Sequence, residues 1–289
     1  MRAQVASLRL VGVLGWPLEH TLSPVIQNAA FRRLSLEWIY LSFPTRPQDL
    51  AAAVAGLRAL GAMGANVTMP HKEAVMGLLD DLSGDARSAG AVNTIQRVGD
   101  ELIGHNTDID GFAEFVVGDA GYDVTGMDCV VLGSGGAARA VVKALGDLGA
   151  GRIAIAARRT EVAARLVGMV GGGRAELHAW DRAVELATAA DVVVNATPVG
   201  MDRTDVVPGA TFRAGQLVVD LIYDPPTTPM VERARAAGAD AWGGLGMLVH
   251  QAAASFRIWT GQDPPIGTMS AAAVRAIGSH QKEGEGGNQ

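Results

Sequence analysis

The order of apolar and polar positions along the chain predicts strands and helices in alternation. The short apolar runs LRLVGVLG, WIYLSF and GANVTM are separated by two stretches with helical spacing, SPVIQNAAFRRL and RPQDLAAAVAGLRALG. The segment HKEAVMGLL predicts a helix start, and AVNTIQRVGDELIGHNTD predicts two strands around a Gly-Asp turn. Farther along, strands are predicted at CVVLG, RIAIAA, ADVVVN and QLVVD. Repeated strand–helix units predict an α/β protein with largely parallel sheets.

A change in the pattern near residues 106–125 predicts two domains. The expected division has an N-terminal α/β domain over residues 1–108 and a Rossmann-type doubly wound domain over residues 109–243. The helix predicted in GGLGMLVHQAAASFRIWTG would return to the first domain, so that residues 244–280 complete it. The polar and glycine-rich end, residues 281–289, predicts a flexible tail.

Composition and charge exclude several classes of function. The chain has 289 residues, a formal net charge of −6 and no cluster of Lys and Arg, so nucleic acid and anionic membranes are poor candidate partners. No apolar run reaches the ~18 residues of a membrane-spanning helix. The one cysteine, Cys129, lies in an apolar run that predicts a buried thiol, and its isolation fits a cytoplasmic protein. No metal is expected, because no His, Cys and acidic residues have metal-ligand spacing.

A glycine-rich turn follows the strand CVVL and precedes a predicted helix. It consists of Gly133, Ser134, Gly135, Gly136 and Ala137. Glycines let the backbone turn tightly and approach a pyrophosphate, and the helix N-terminus then offers unpaired N–H groups. The spacing departs from G-x-G-x-x-G, and a turn that serves only packing is the simpler alternative. In its strand and helix context, the turn favours a dinucleotide site.

The next strand, RIAIAA, is followed by Arg158, Arg159 and Thr160. A site for NAD usually has an acidic residue at this strand end, which binds the ribose 2′-hydroxyl. Two guanidiniums and a hydroxyl suit a 2′-phosphate instead, because arginine binds phosphate bidentately. The strand end therefore favours NADP over NAD. The alternative is that these arginines are solvated surface residues.

Lysine is rare in this chain, and one of its three lysines lies in the stretch NVTMPHKEAV. Arginine stays charged at any accessible pH, whereas lysine can exchange a proton if burial or a neighbouring charge lowers its pKa. Lys72 follows the polar residues Asn66 and Thr68 and is therefore a candidate general acid and base. An exposed lysine at a helix start is the simpler alternative.

Further polar residues lie where predicted strands end or helices begin. Thr21 and Ser23 place two hydroxyls at a helix start, where they would bind a carboxylate or where Ser23 would only cap the helix. Asn93 and Asp108 lie at strand ends, and Asp108 would hold and tune Lys72.

Three further polar residues are candidates. Asn106 marks another strand end, and Asp110 equally fits a role as a helix cap alone. Gln251 is a polar amide on an otherwise apolar helix, so it is either a satisfied core group or a ligand contact.

Together these motifs resemble the shikimate dehydrogenase family, which includes shikimate and quinate dehydrogenases. The resemblance covers nearly the whole chain, and eight motifs in the family's order are far more specific than one. The motifs are GVLGWPLEHTLSPVIQN, GANVTMPHKEAV, GAVNT, GHNTDIDG, VLGSGGAARA, VVNATPVGM, DLIYDP and GGLGMLVHQAAASFRIWTG.

The resemblance implies a substrate domain and a Rossmann domain. It also implies the reversible reduction of 3-dehydroshikimate to shikimate by NADPH, a step of aromatic amino acid biosynthesis, in a monomer or homodimer. Lys72 and Asp108 match the catalytic pair. The residues that match substrate-binding positions are Thr21, Ser23, Thr68, Asn93, Asp108, Tyr223 and Gln251. The residues that match cofactor positions are the turn from Gly133 to Ala137, Arg158, Arg159, Thr160, Ile222, Gly244 and Met247.

Three positions depart from the family pattern. Thr21 stands where many shikimate-specific members have serine, and Gln27 replaces a common histidine, so an enzyme for quinate or for an amino analogue is the alternative. Arg158 replaces the usual asparagine, which leaves NADP favoured. A non-catalytic ligand-binding or regulatory relative would be expected to lose Lys72 and Asp108, and both are present.

Overall fold

The computed structural model describes residues 8–19 and 21–286, without the side chains of Val162 and residues 280–286. The chain divides into two units by its internal contacts. The first unit is Met1–Thr107 with Gln251–Gln289, and the second unit is Asp108–His250. These bounds differ by one residue at the first junction and by seven at the second from the predicted division at 108/109 and 243/244. The functions assigned to the two domains stay predictions.

The first unit contains six strands and three short to medium helices before the chain enters the second. The strands are β1 (Arg9–Gly15), β2 (Trp38–Pro44), β3 (Gly64–Val67), β4 (Asp81–Leu82), β5 (Thr94–Val98) and β6 (Glu101–His105). The helices are α1 (Ser23–Arg33), α2 (Leu50–Ala59) and α3 (Gly84–Ala89).

The sheet of the first unit is mixed, with the strand order β2-β1-β3-β5-β6-β4. Strands β1, β2 and β3 are parallel, whereas β5 is antiparallel to both of its neighbours, β3 and β6. The expectation of largely parallel sheets is therefore wrong for β5, whereas β4 pairs parallel with β6. The predicted Gly-Asp turn joins β5 to β6 as a hairpin, and this connection makes the β5–β6 pair antiparallel.

One face of this sheet is covered by an apolar cluster that includes Leu14, Val54, Leu57, Ile95 and Leu102, each at most 4% exposed. Val54 and Leu57 come from one face of α2, and the other three come from the strands. Burial of these side chains ties the helix to the sheet and leaves the carboxyl ends of β1 and β3 to carry polar loops.

The second unit contains the remaining six strands and five helices. The strands are β7 (Asp128–Leu132), β8 (Arg152–Ala157), β9 (Ala175–Ala179), β10 (Val192–Asn195), β11 (Leu217–Asp220) and β12 (Asp240–Trp242). The helices are α4 (Asp108–Glu114), α5 (Gly136–Asp147), α6 (Thr160–Val167), α7 (Ala183–Ala189) and α8 (Pro229–Ala236). A π-helical turn, Phe115–Asp119, extends α4.

The sheet of the second unit is parallel throughout, with the order β12-β11-β10-β7-β8-β9. Its central strands read as continuous apolar runs because helices cover both faces, and every residue of β10 and β11 is buried. The strand order reverses between β7 and β10, and open α/β sheets bind ligands outside the carboxyl ends of strands at such a point. The predicted doubly wound fold is confirmed.

The two C-terminal helices are α9 (Leu245–Thr260) and α10 (Ile266–Gly286). Helix α9 was predicted; α10 was not, nor were β9, α7 and β12, whose sequences lack strong turn signals or clear periodicity. Helix α10 covers residues 281–286 of the predicted tail, and residues 287–289 lie outside the described residues. In place of the helix expected in HKEAVMGLL, a short 3₁₀ turn spans Ala74–Leu78.

Candidate functional site

Two hydroxyl-bearing residues lie together where α1 begins. The helix starts at Ser23 and its N-cap residue is Leu22, without a side-chain cap, so the interpretation of Ser23 as a mere helix cap is wrong. The Ser23 N–H donates to the Thr21 hydroxyl oxygen at 3.4 Å. The Ser23 side chain is buried and lies near the Tyr40 hydroxyl. This pair has the donors that a carboxylate needs.

A network of buried hydroxyl and amide side chains continues from Tyr40. The Tyr40 hydroxyl donates to Asn66 Oδ1 at 2.8 Å. Asn66 Nδ2 faces three acceptors, Asn93 O at 3.1 Å, Thr94 Oγ1 at 3.0 Å and Ser255 Oγ at 2.9 Å. An amide nitrogen has only two hydrogens, so these acceptors fix the orientation of the Asn66 amide. Burial without such partners would be costly, and the network members satisfy one another.

The network brings two predicted substrate residues together. Asn93 Oδ1 accepts from Thr107 N at 2.7 Å, and Asn93 Nδ2 donates to Thr107 Oγ1 at 2.9 Å. Asn93 Nδ2 also lies 3.5 Å from Gln251 Oε1, although the two residues are 158 positions apart. Ser255, one turn farther along α9, donates to the Gln251 carbonyl at 2.9 Å. Amides and hydroxyls in this arrangement can bind the hydroxyl groups of a polyhydroxylated ring.

Lys72 lies in the turn that follows β3. The turn is held by its backbone: Thr68 N donates to Leu14 O at 2.9 Å, and Val92 N donates to Lys72 O at 2.8 Å. His71, which is 1% exposed, lies with its Nε2 2.7 Å from Thr45 O, and since a carbonyl only accepts, that nitrogen carries the hydrogen. Lys72 is half-buried and precedes a 3₁₀ turn, so it is not the exposed lysine of a helix start.

Asp108 is the first residue of α4 and is buried, with 5% of its surface exposed. It directly follows Thr107, which the bonds with Asn93 fix in place. Asp110 lies in the same first helical turn and is exposed. Asn106 is buried and donates to Ala91 O at 2.9 Å. The pairing of Lys72 with Asp108 stays a prediction.

The glycine turn has the geometry of a nucleotide loop. Gly133 has φ +117°, and a Cβ there would lie 3.0 Å from Ala196 O, so a side chain would be strained and crowded. A Cβ at Gly135 would meet no atom within 4 Å, so the backbone there is open to a ligand. Helix α5 starts at Gly136 and directs its first N–H groups at this turn. Ser134 in the turn is buried, and Ala137 lies in the first turn of the helix.

Arg158, Arg159 and Thr160 are exposed after the end of β8, and Thr160 starts α6. Within the described part of the chain, neither guanidinium forms a hydrogen bond or an ion pair; the Arg159 main-chain carbonyl accepts from Ala163 N at 3.1 Å. The guanidiniums are therefore available to an anion at the carboxyl end of the sheet. This arrangement fits the phosphate that distinguishes NADP from NAD.

The loop after β11 holds the other cofactor candidates. Ile222 and Met247 are buried, at 7% and 8% exposure. Gly244 N donates to Ile222 O at 2.9 Å, and a Cβ on Gly244 would lie 2.0 Å from Leu221 O, so only glycine fits there. Burial raises the pKa of the Tyr223 phenol, and the charge of Asp224 raises it further, so Tyr223 remains an uncharged hydroxyl.

Sequence reasoning missed the residues that support these loops and networks. In the second unit these are Asn195 and Asp220, and in the first unit they are Tyr40, His71 and Ser255. One signal was available for Asn195 and Asp220: each is a polar residue that ends a wholly buried apolar strand, VVVN or LVVD. No comparable signal marks Tyr40 or Ser255, which lie inside apolar elements.

Cys129 is buried, and burial raises the pKa of its thiol to about 12, so it is an un-ionised core residue at neutral pH, as predicted. No group of metal-ligating side chains occurs among the described residues. Nor does any helix in that part of the chain combine the length and the apolar character of a membrane span.

Fold and site together define a two-unit α/β protein with a Rossmann dinucleotide-binding half. Three family models match the chain. They are the shikimate dehydrogenase substrate binding domain over residues 13–95, shikimate/quinate 5-dehydrogenase over residues 118–221, and the shikimate 5′-dehydrogenase C-terminal domain over residues 244–274.

Similar proteins agree with these models. The shikimate dehydrogenase (NADP(+)) of Geobacter metallireducens is 42% identical over 279 residues, which cover 93% of this chain and 97% of the relative. A crystal structure of a shikimate dehydrogenase with NADP⁺ superposes with a TM-score of 0.86 at 35% identity, over 93% of this chain and 96% of the other. The quinate dehydrogenase of Corynebacterium glutamicum, solved with NAD, gives 0.83 at 30% identity, over 92% and 99%. The chain belongs to the shikimate dehydrogenase family.

Proposed function

We propose that this chain catalyses the reversible reduction of 3-dehydroshikimate to shikimate with NADPH. The observation that carries the proposal is that the two units contain different kinds of candidate ligand-binding groups. The first unit has a buried network of hydroxyl and amide side chains that ends at Asn93 and Gln251. Val92, the residue before Asn93, donates its N–H to the carbonyl of Lys72, so the network lies beside the turn that carries this lysine. The second unit has the glycine turn and two unpaired arginines. A relative that is 42% identical to this chain over 279 residues is named shikimate dehydrogenase (NADP(+)).

The residues present fit NADP. The glycine turn leaves room at Gly135 and offers the N-terminus of α5 to the pyrophosphate, while Arg158 and Arg159 suit the 2′-phosphate. Ile222 and Met247 provide apolar surface, and both are mostly buried. When bound, the reduced cofactor supplies the hydride of the reaction.

The chain's own residues supply position and a proton. Thr21 and Ser23 bind the carboxylate of the ring acid, and Asn93, Gln251, Thr68 and Tyr223 bind its ring hydroxyls. Lys72 Nζ, as an ammonium, gives a proton to the carbonyl oxygen as negative charge develops there, and takes it back in the oxidation of shikimate. Asp108 accepts hydrogen bonds and holds Lys72 and a ring hydroxyl in place.

Oxidation of quinate is the second candidate, and Thr21 favours it. Thr21 carries a methyl group that serine lacks, and this methyl group would change which ring acid fits beside the two hydroxyls. The solved quinate dehydrogenase of C. glutamicum was crystallised with NAD, whereas the arginine pair of this chain suits NADP. Reduction of 3-dehydroshikimate with NADPH therefore agrees with the candidate residues of both units. Oxidation of quinate is favoured only by Thr21.

Steady-state kinetics with shikimate and quinate, each with NADP⁺ and NAD⁺, test the proposal. We expect the highest kcat/KM for shikimate with NADP⁺. A higher kcat/KM for quinate would replace the proposed substrate, and a higher value with NAD⁺ would contradict the role of the arginines. Turnover of any ring acid excludes the non-catalytic alternative.

A further inference from the structure

Asp220 is a buried carboxylate that the proposed reaction does not use. It is the last residue of β11, is 1% exposed, and accepts hydrogen bonds from three different segments of the second unit. We propose that Asp220, together with Asn195 and Thr228, forms a clamp that positions the loop around Ile222 and Tyr223 for the cofactor and the substrate. This proposal rests on the proposed function, since that function gives the loop its ligands.

The clamp holds the backbone of the loop directly. Asp220 Oδ1 accepts from Ile222 N at 3.1 Å. The carbonyl of the same residue accepts from Gly244 N, which precedes α9. Both polar groups of the Ile222 main chain are thereby bound, one by the carboxylate and one by the turn before α9. The direction in which the Ile222 and Tyr223 side chains leave the sheet therefore depends on Asp220.

The same carboxylate joins this loop to the loop of the neighbouring strand. Asn195 Nδ2 donates to Asp220 Oδ1 at 3.0 Å and to Val199 O at 2.9 Å. Asn195 Oδ1 accepts from Thr197 N at 3.0 Å and from Thr197 Oγ1 at 2.7 Å. All hydrogen-bonding capacity of the Asn195 amide is used within the second unit. The loops after β10 and β11 are thus joined by hydrogen bonds, and β10 borders the point where the strand order reverses.

A third segment completes the clamp. Thr228, which precedes α8 and is 1% exposed, donates its hydroxyl to Asp220 Oδ2 at 2.7 Å. A buried carboxylate is expensive to maintain, and an apolar residue would cost less in a parallel strand end. Three donors on one buried group specify one arrangement of three loops, which packing of apolar side chains would specify less sharply.

The test compares Asp220→Ala, Asp220→Asn and Thr228→Val with the parent enzyme. The amide of Asp220→Asn keeps an oxygen for Asn195 and Ile222, and its nitrogen can donate to the Thr228 hydroxyl, so we expect parent-like behaviour within about threefold. Asp220→Ala loses all three bonds, and we expect at least a roughly tenfold weaker NADP⁺ affinity and a lower kcat. Thr228→Val removes one bond with little change in volume and should fall between them.

Calorimetric titration of NADP⁺ measures affinity without turnover, and kcat and KM for shikimate are measured separately. Asp191→Ala is the matched control. Asp191 also accepts a backbone N–H and an arginine, at 3.1 Å and 2.9 Å, but it precedes β10 at the amino end of the sheet. We expect it to lose stability and to keep the parent's NADP⁺ affinity.

Two outcomes overturn the clamp. One is NADP⁺ affinity and kcat in both Asp220→Ala and Thr228→Val that match the parent. The other is an Asp220→Asn variant as impaired as Asp220→Ala, since the hydrogen bonds would then not be what matters. If Asp220→Ala does not fold, Thr228→Val with Thr228→Ser as its rescue decides the question. The parent's own substrate kinetics test the proposed function independently of these ratios.

Discussion

In the first unit, neutral hydroxyl and amide side chains bind one another around Asn66 and Asn93, whereas in the second unit glycine backbone and one buried carboxylate hold the candidate ligand loops. The two ligands that we propose explain this difference. A polyhydroxylated ring needs donors and acceptors at fixed places, which amides and hydroxyls provide in both senses. A pyrophosphate needs close approach to N–H groups, which glycine allows and a side chain would prevent.

The two arrangements also respond differently to their surroundings. The hydrogen bonds of the neutral network do not change with pH, because none of Asn66, Asn93, Thr94 and Ser255 titrates. The second unit contains a buried carboxyl group, that of Asp220, whose ionisation changes the free energy of unfolding. Predictions that separate the two units follow from this contrast.

Replacement of the candidate proton donor should have the largest effect. We expect Lys72→Ala to lower kcat by about 10²- to 10⁴-fold while shikimate still binds, because only the proton transfer is lost. Steady-state kinetics and a calorimetric titration of shikimate measure the two quantities. Lys143→Ala is the control, since Lys143 pairs with Asp147 on α5 and should leave both unchanged. Unaltered turnover in Lys72→Ala would remove Lys72 from the mechanism.

Substitutions of Arg158 and Arg159 should affect only the binding of NADP⁺. We expect Arg158→Ala and Arg159→Ala each to weaken NADP⁺ binding by roughly tenfold and to leave NAD⁺ binding unchanged, because only the 2′-phosphate is no longer bound. Titrations of both cofactors give the ratio. Arg165→Ala, in helix α6, which follows the two arginines, serves as the control. An equal loss for NAD⁺ would show that the arginines do not read the 2′-phosphate.

Substitution of Ser255, at the centre of the neutral network, should affect the binding of shikimate. We expect Ser255→Ala to lower stability by about 1–3 kcal/mol, because Asn66 and Thr94 lose a buried partner. KM for shikimate should rise by several fold while NADP⁺ affinity stays constant. Urea unfolding and kinetics measure these changes, and Ser88→Ala, at an exposed hydroxyl on α3, is the control. A change in NADP⁺ affinity instead would contradict the separation of the two units' roles.

The smallest effect concerns pH and has opposite signs in the two units. Burial raises the pKa of the Asp220 carboxyl, although the bonds from Thr228, Ile222 and Asn195 lower it. The folded protein therefore holds this proton more tightly than the unfolded chain, whose pKa is about 3.9, and the ionised group opposes folding above the raised pKa. We expect Asp220→Asn to gain stability relative to the parent as pH rises from about 4.

Asp80 in the first unit provides the opposite case. Hydrogen bonds from the Leu102 N–H and from Arg58 lower the pKa of its exposed carboxyl. Its contribution is therefore present above about pH 3.9 and is lost as the pH falls through the lowered pKa. We expect Asp80→Asn to approach the parent's stability in acid. Urea unfolding of both variants from pH 3 to 8, followed by hydrogen exchange of each unit, measures the two slopes, and slopes of the same sign would contradict the assignment.

Much of this protein could be predicted because its local signals are strong. The composition of the glycine turn at 133–137 predicts a tight loop, and the apolar runs VVVN and LVVD predict buried parallel strands. The lysine in NVTMPHKEAV stands out because lysine is rare in the chain. These features depend on neighbours in sequence, so periodicity, turn chemistry and motif order suffice to find them.

Other features depend on residues that are far apart in the chain. The sequence could not show that Ser255 and Asn66 share a hydrogen bond across 189 positions, or that Asp220 binds Asn195 and Thr228. It also could not show that the N-cap of α1 is Leu22, or that β5 pairs antiparallel with β3, since both depend on how the surrounding chain packs. The sequence by itself determined the alternation of strands and helices, the glycine turn and the family. Only the tertiary structure decided which buried polar groups satisfy one another, because burial makes that pairing obligatory and sequence distance does not record it.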